Sequence, residues 1–382
     1  MIDKPKIKWS LVLAFFLISI SYFDIKYHFA PLKYIGLVII DIIALKDVLN
    51  SGQMERHKAT AIFAITFFFL IPVFLSGGVG ALVNALIYGV QLGIIIFYSG
   101  NILRNPNDYL SIALGGILSM VMAFILDFNK VLSQMSYSFG RVRVCGAFMH
   151  PNTFGAVALS VFACLFVYLA LRRDELRFFQ KLLCYAAICG CVYAAVLSDS
   201  NNALIGILLF FLLLIVYKTI EVFSIPEFIA KLIMVVLIIV FGYQLINSFD
   251  EDLMASLTTR VSSFEAISNM PFLKLILGYG ISGGGDVGIG WGAEFSLTQL
   301  IYKTGIAGVM VYVLIFGGLY LNSRHTEKKN KHYVECLIVV FLVCSIVEPY
   351  ITNITNILPM YFLIMISSLA NKSQIGDLPY LN

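Results

Sequence analysis

A short polar segment carries the residues of this chain that are best suited to chemistry. Arg141 and Arg143 lie close in sequence to His150 and Asn152, between two long apolar stretches. An arginine fork matches phosphate oxygens bidentately and stays charged, and the imidazole and amide add hydrogen-bonding groups. Pro151 fits the first turn of a helix, where free N–H groups and a positive dipole end favour an anion. The segment therefore predicts a binding site for a phosphorylated lipid at a membrane surface.

The composition indicates what kind of protein positions these residues. Of the 382 residues, 60% are hydrophobic and only 13% are charged, whereas a soluble domain carries roughly 25% charged residues. Apolar runs near twenty residues recur, each about long enough to cross a hydrocarbon core of roughly 30 Å as a helix. Because backbone groups in lipid must be satisfied within the segment, we expect an all-α polytopic membrane protein.

The apolar runs predict about twelve transmembrane helices, with residues 1–382 forming a single integral membrane domain. The second is the weakest prediction, because Asp41 interrupts it. The predicted spans are centred near Ala14, Ile39, Phe67, Ile87, Leu118, Phe162, Ala187, Phe210, Val236, Val311, Val340 and Leu363.

Positive charge orients the predicted bundle, since cytoplasmic loops are enriched in Lys and Arg. With the N-terminus cytoplasmic, most of the 26 basic residues fall on the inside, and both termini are cytoplasmic. The exceptions are Lys26, Lys33, Lys130, Arg141, Arg143, Arg260, Lys274 and Lys303. The net charge of +4 is thus a topological signal, and no nucleic-acid partner is expected.

Two long connections fall on the predicted external side. The first, residues 127–153, contains the arginine and His-Pro-Asn cluster. The second, residues 247–294, is the largest piece between spans, and apolar residues at near-helical spacing over 253–267 predict an amphipathic helix on the bundle. Arg260 lies in this second loop, which also contains Leu277-Gly278-Tyr279-Gly280.

Carboxylates near the same face are further candidates for chemistry. Asp199 lies in a tight polar turn, Glu294 opens the span after the large loop, and Glu348 follows the next span. Ionisable residues at membrane depth are costly and point to function, although a carboxylate at a helix start also complements the helix dipole. As an alternative without catalysis, the arginines would bind lipid headgroups or nearby carboxylates. The corresponding alternative for His150 is that it only caps a helix.

The pattern Arg-x-x-x-Gly-x-Phe-x-His-Pro-Asn-x-x-Gly, one residue shorter here between Arg143 and Gly155, resembles the signature of the O-antigen polymerase and ligase superfamily. Thr259-Arg260, Leu277-Gly278-Tyr279-Gly280 and Gly305-Ile306-Ala307-Gly308 resemble, in the same order, the family's large external loop and its following span. The resemblance extends over about residues 127–320.

The resemblance implies an enzyme that acts on undecaprenyl-pyrophosphate-linked oligosaccharides at the outer face of the bacterial plasma membrane. The sequence has no P-loop or His/Cys ligand cluster, so no metal or cofactor is expected. Its partners would be those lipid-linked sugars, membrane lipids and a protein that regulates chain length. Arg141, Arg143 and Arg260 would hold the pyrophosphate, with Glu294 as the first candidate for the general base and His150 as the second. The expected substrate-binding residues are Asn152, Asp199, Tyr279 and Glu348.

One departure from the family pattern, the absence of the ligase His-Asn pair, favours a polymerase of O-antigen or capsular polysaccharide. Ligases have His-Asn at the start of the span after the large loop, where this chain has Glu294-Phe295; many relatives also have Ser-Arg where this chain has Ser200-Asn201. A ligase-type glycan transferase remains an alternative. A twelve-span transporter or flippase is a further one, although residues 46–58 lack the Gly-x-x-x-Asp-Arg pattern of facilitator-type transporters.

Overall fold

The computed structural model of the protein shows a bundle of helices. The structure describes residues 6–76, 79–127, 135–136, 142–223, 267–280, 296–347 and 356–371, together with positions 226, 228, 229, 232, 235 and 236. The predicted amphipathic helix over 253–267 and the predicted span around Val236 lie almost entirely outside these residues.

In the first half of the bundle, the described residues form six helices and a short 3₁₀ turn at Ile25–Tyr27. The helices are α1 (Trp9–Ile20), α2 (Leu32–Ala44), α3 (Lys46–Ser51), α4 (Arg56–Ser76), α5 (Val79–Ile102) and α6 (Pro106–Leu126). Helix α2 is short, and the carboxylate of Asp41 within it accepts a hydrogen bond from Gln91 on α5 at 2.5 Å.

The second half contains the remaining described helices and one antiparallel pair of two-residue strands, β1 (Met135–Ser136) and β2 (Val142–Arg143). The helices are α7 (Pro151–Arg172), α8 (Phe178–Leu197), α9 (Asn201–Phe223), α10 (Phe272–Leu277), α11 (Ser296–Ser323), α12 (Lys328–Val347) and α13 (Ile357–Ala370).

Helix α13 occupies the centre of the bundle. Every one of its residues is buried, and it packs against α5, α7, α11 and α12. The ring of Tyr361 meets Phe15 of α1 edge to face, with centroids 4.5 Å apart. A side chain on Gly116 of α6 would lie 3.0 Å from the Tyr361 hydroxyl and 2.3 Å from Val161 of α7, so glycine permits these helices to meet.

The helices alternate in direction, which gives the bundle two chemically different ends. At the loop end, defined as the end that carries residues 142–150, α6 and α8 terminate and α7 and α9 begin. The opposite end is called the basic end because several Arg and Lys residues lie there. At this end Arg172 donates to the Asn107 side chain at 2.5 Å, and Arg104 pairs with Asp47. Arg173 and Lys181 lie at the same end, where α7 leads into α8.

Among the described residues, seven helices are long and apolar enough to cross a membrane, namely α4, α5, α6, α7, α8, α9 and α11. Helices α1 and α13 are shorter apolar helices. Large apolar side chains such as Phe63, Phe74 and Leu314 point out of the bundle, each about 70% exposed. Such surfaces are stable against lipid rather than water. The prediction of a helical multi-pass membrane protein is therefore confirmed, whereas the number of twelve spans is not.

Candidate functional site

The segment from Val144 to Met149 is fixed across the loop end by backbone hydrogen bonds. Val144 N–H donates to the Leu197 carbonyl at the end of α8 at 3.0 Å, and Ala147 N–H donates to the Ala123 carbonyl of α6 at 3.1 Å. Gly146 adopts a left-handed φ of 55° and lies against the same Ala123 carbonyl. These bonds bring the polar residues on either side of the segment to the ends of α7 and α8.

Arg143 forms the centre of the site. Its Nε donates to the Ser198 carbonyl at 3.1 Å, and its Nη2 donates to the Asp199 carbonyl at 2.9 Å and to Asn152 Oδ1 at 2.6 Å. Ser198 is the C-cap of α8, so the cation also lies where the helix dipole favours positive charge. The guanidinium thereby joins the turn after α8 to the first turn of α7.

His150 is the N-cap residue of α7, and Pro151 follows it in the first helical position. The imidazole Nδ1 accepts a hydrogen bond from the Asn152 N–H at 3.1 Å. Since Nδ1 accepts, we infer that Nε2 carries the proton of the neutral ring. Burial, and then the charge of Arg143, lower the pKa of His150 below its ordinary value. The ring is therefore neutral at neutral pH and presents an N–H donor.

The turn between α8 and α9 completes the arrangement. Asp199 has a left-handed φ of 44°, and it contacts Arg143 through its main-chain carbonyl. A side chain at Gly155 of α7 would come within 2.5 Å of Ser200, so glycine allows α7 to approach this turn closely. The motif glycines at 146 and 155 thus have steric roles, and the polar groups that converge belong to Arg143, His150 and Asn152.

The remaining predicted site residues have different outcomes. Arg141, Arg260, Glu294 and Glu348 lie outside the described residues, and their predicted roles stay predictions. Tyr279 is described, and it contacts Lys274 of α10 and Tyr302 of α11.

Tyr279 belongs to a contact made possible by a break in α11. Gly305 has φ 67° and ψ −177° inside that helix, which releases carbonyls from the helical pattern. The Tyr279 N–H donates to the Tyr302 carbonyl at 2.9 Å and the Gly280 N–H donates to the Lys303 carbonyl at 2.8 Å. The rings of Tyr279 and Tyr302 stack with centroids 4.6 Å apart.

Two lysines at this contact were not singled out by the sequence reasoning. Lys274 places its ammonium 5.0 Å from the centre of the Tyr279 ring, and Lys303 donates to Gln299 Oε1 at 3.2 Å. Both had been counted among the basic residues that oppose the charge trend. That exception to the trend is the signal that could have identified them.

A third cluster that the sequence reasoning missed lies beside the loop end. Lys26 binds Asp127 at 3.0 Å, and the Tyr27 hydroxyl donates to the same carboxylate at 3.3 Å. The contact connects the turn after α1 to the end of α6. In the part of the chain that the structure describes, no group of three or more His, Cys, Asp or Glu side chains could hold a metal ion.

No protein-family model matches this chain, and a search of curated proteins gives no match. Its function is therefore inferred from its own residues and geometry.

Proposed function

We propose that this chain is a bacterial polysaccharide polymerase that joins undecaprenyl-pyrophosphate-linked oligosaccharide repeat units at the outer face of the plasma membrane. One observation carries the proposal: the guanidinium of Arg143, the imidazole of His150 and the amide of Asn152 converge at the N-terminus of α7. A cation, a neutral N–H donor and a positive helix end together suit a diphosphate.

The proposal includes a membrane arrangement. The bundle has twelve spans, both termini are cytoplasmic, and the loop end faces outward. The concentration of Arg and Lys at the basic end supports this orientation, because cytoplasmic segments carry an excess of these residues.

The proposed reaction is a metal-independent glycosyl transfer. A sugar hydroxyl oxygen of an incoming repeat unit attacks the anomeric carbon of the growing chain. The bond from that carbon to the diphosphate oxygen breaks, the diphosphate leaves with the electron pair, and the hydroxyl proton passes to a general base. An in-line attack inverts the anomeric configuration. Stabilising the developing negative charge is the main catalytic demand, and Arg143 with Arg141 and Arg260 meets it.

The hydrogen bonding of His150 supports one of two proposed roles for this residue. Its Nδ1 is engaged by the Asn152 N–H, so the other nitrogen donates rather than accepts. We therefore give His150 the role of a donor to the leaving diphosphate, and Glu294 the role of general base. Asn152 orients Arg143 by accepting its Nη2 proton.

The experiment that tests the proposal is deletion of the gene in its host, followed by gel analysis of surface and lipid-linked glycans. Loss of the polysaccharide ladder, with single repeat units still reaching the surface, is expected. Full-length polymer retained on the lipid carrier would identify a ligase, and repeat units trapped on the cytoplasmic side would identify a flippase. Either result would contradict the proposal.

Complementation then tests the residues. Arg260→Ala should leave single repeat units on lipid, and Arg143→Lys should shorten or abolish the ladder at normal protein levels. Arg177→Gln, which removes an arginine from the basic end, serves as the matched control and should restore the ladder fully. Normal chain lengths in both the Arg260 and the Arg143 variants would refute the assignment of these arginines.

A further inference from the structure

A cavity of about 590 Å³ opens at the basic end, between α7, α8, α9 and α12. Its wall is apolar and includes Phe166, Leu169, Phe211 and Leu214. This volume falls in the range of about 300–1,000 Å³ that is typical of small-molecule sites. The cavity lies at the opposite end of the bundle from Arg143 and plays no part in the proposed glycosyl transfer.

The mouth of the cavity is positively charged. Arg173, Lys181 and Lys218 line it, and the carboxylate that lines it with them is Glu221. Glu221 lies 3.7 Å from the imidazole of His332, which also lines the cavity. The three full positive charges therefore exceed the negative charge of the lining residues, and the mouth attracts an anion.

Tyr217 and His332 form a polar part of the cavity lining. The Tyr217 hydroxyl contacts the carboxylate of Glu335 on α12, and the Tyr217 ring stacks on His332 with centroids 4.2 Å apart. Tyr217 is only 5% exposed. This contact ties α9 to α12 beside the cavity, which is a recess at the basic end of the bundle.

We propose that this recess binds an anionic phospholipid, with the phosphate between Arg173, Lys181 and Lys218 and the first part of an acyl chain along the apolar wall. Two features favour this occupant. Basic residues at the ends of membrane helices lie at the level of the headgroups, where basic pockets between helices bind anionic headgroups. The aromatic and aliphatic wall below them needs an apolar partner, which a soluble anion does not provide.

Native mass spectrometry of the purified full chain in detergent tests the proposal, with phosphatidylglycerol and phosphatidylcholine of equal chain length as probes. One phosphatidylglycerol should bind more tightly than phosphatidylcholine. Each of Arg173→Gln and Lys218→Gln should weaken phosphatidylglycerol binding about fivefold, because a basic residue near an anionic headgroup contributes on this scale. Arg173 and Lys218 are both exposed, so these variants should fold.

Arg177→Gln is the matched control, because Arg177 lies between Arg173 and Lys181 in sequence but does not line the recess. Its affinity for phosphatidylglycerol should stay within twofold of the unchanged protein. Equal binding of the two lipids, or an equal loss in the control, would refute a specific recess. Competition by glycerol phosphate at the same concentration as the lipid would show that a soluble anion is the ligand, which also overturns the proposal. None of these readouts depends on polymer synthesis.

Discussion

Replacing Arg143 by glutamine should destabilise the folded protein, whatever its substrate. The substitution removes three charge-assisted hydrogen bonds, of 3.1 Å, 2.9 Å and 2.6 Å, to the Ser198 and Asp199 carbonyls and to Asn152 Oδ1. A hydrogen bond to a charged group contributes roughly 1.5–3 kcal/mol. The three bonds share one half-buried side chain and are not additive, so we expect a total loss of about 2–3 kcal/mol.

Two further substitutions separate the geometry of the side chain from its charge. Arg143→Lys keeps the charge but replaces the planar fork with a single ammonium, so it should recover less than half of the loss. Arg177→Gln removes an arginine from the opposite terminus of α8, where the dipole disfavours a cation. That change should be neutral or slightly stabilising.

The cysteines of the chain provide the assay. Six of the seven are buried, and Cys189 is exposed, so a fluorogenic thiol reagent reports unfolding over a low background. For a chain of this length, a loss of about 2–3 kcal/mol lowers the midpoint on the order of 3 °C. Full recovery of the midpoint by Arg143→Lys would refute the argument from geometry. An equal decrease in Arg177→Gln would show that charge alone, not the contact, is being measured.

Three more predictions concern other parts of the bundle. Gly305→Ala should strongly reduce the yield of folded protein in a size-exclusion assay, because the left-handed φ resists a side chain and the added carbon would lie 2.0 Å from the Ile276 carbonyl oxygen. The control Gly317→Ala lies in open space on the same helix and should be neutral or stabilising by about 0.5–1 kcal/mol. Equal yields of the two variants would contradict the steric argument. The free energy of unfolding should fall as the pH drops below 6.5, the ordinary pKa of histidine, because the folded state keeps His150 neutral while the unfolded state takes up a proton. Thermal midpoints at pH 7.5 and 5.5 should differ less in His150→Asn, which preserves a good helix cap. Identical pH dependence in the variant and the unchanged protein would refute the role of His150. A lipid-soluble maleimide should label Cys189 in intact membranes before any other cysteine; prior labelling of a buried thiol, seen by peptide mapping, would contradict the packing of α8.

The helices could be predicted from the sequence because their signal is local. Apolar runs and the His-Pro-Asn start identify α7, and the boundary at Pro151 follows from the missing N–H of proline. Short α2 was also foreseeable, since Asp41 interrupts its apolar run. Its carboxylate, however, bonds to Gln91 fifty positions away, and nothing local in the sequence indicates that partner.

The candidate site was only partly predictable for the same reason. The spacing of Arg143, His150 and Asn152 within one segment suggested that they act together. The turn at 198–200 joins them through main-chain carbonyls, whereas the sequence reasoning considered the carboxylate of Asp199. Every residue has a main-chain carbonyl, so the residue types in a sequence do not show which carbonyl accepts a hydrogen bond. The recess at the basic end was missed because its three cations are separated in sequence and had been explained as topological charge.

The burial of α13 has a consequence for how the protein is made. Its neighbour α5 is synthesised roughly 250 residues earlier, which at about 5–20 residues per second corresponds to a delay of ten seconds or more. During that interval the faces of α5 and α7 that later enclose α13 have no final partner, and lipid or the insertion machinery must cover them. Release of a nascent chain before residue 357 would leave this vacancy permanent. Quality control of this protein should therefore act on the last stage of membrane insertion rather than on the first.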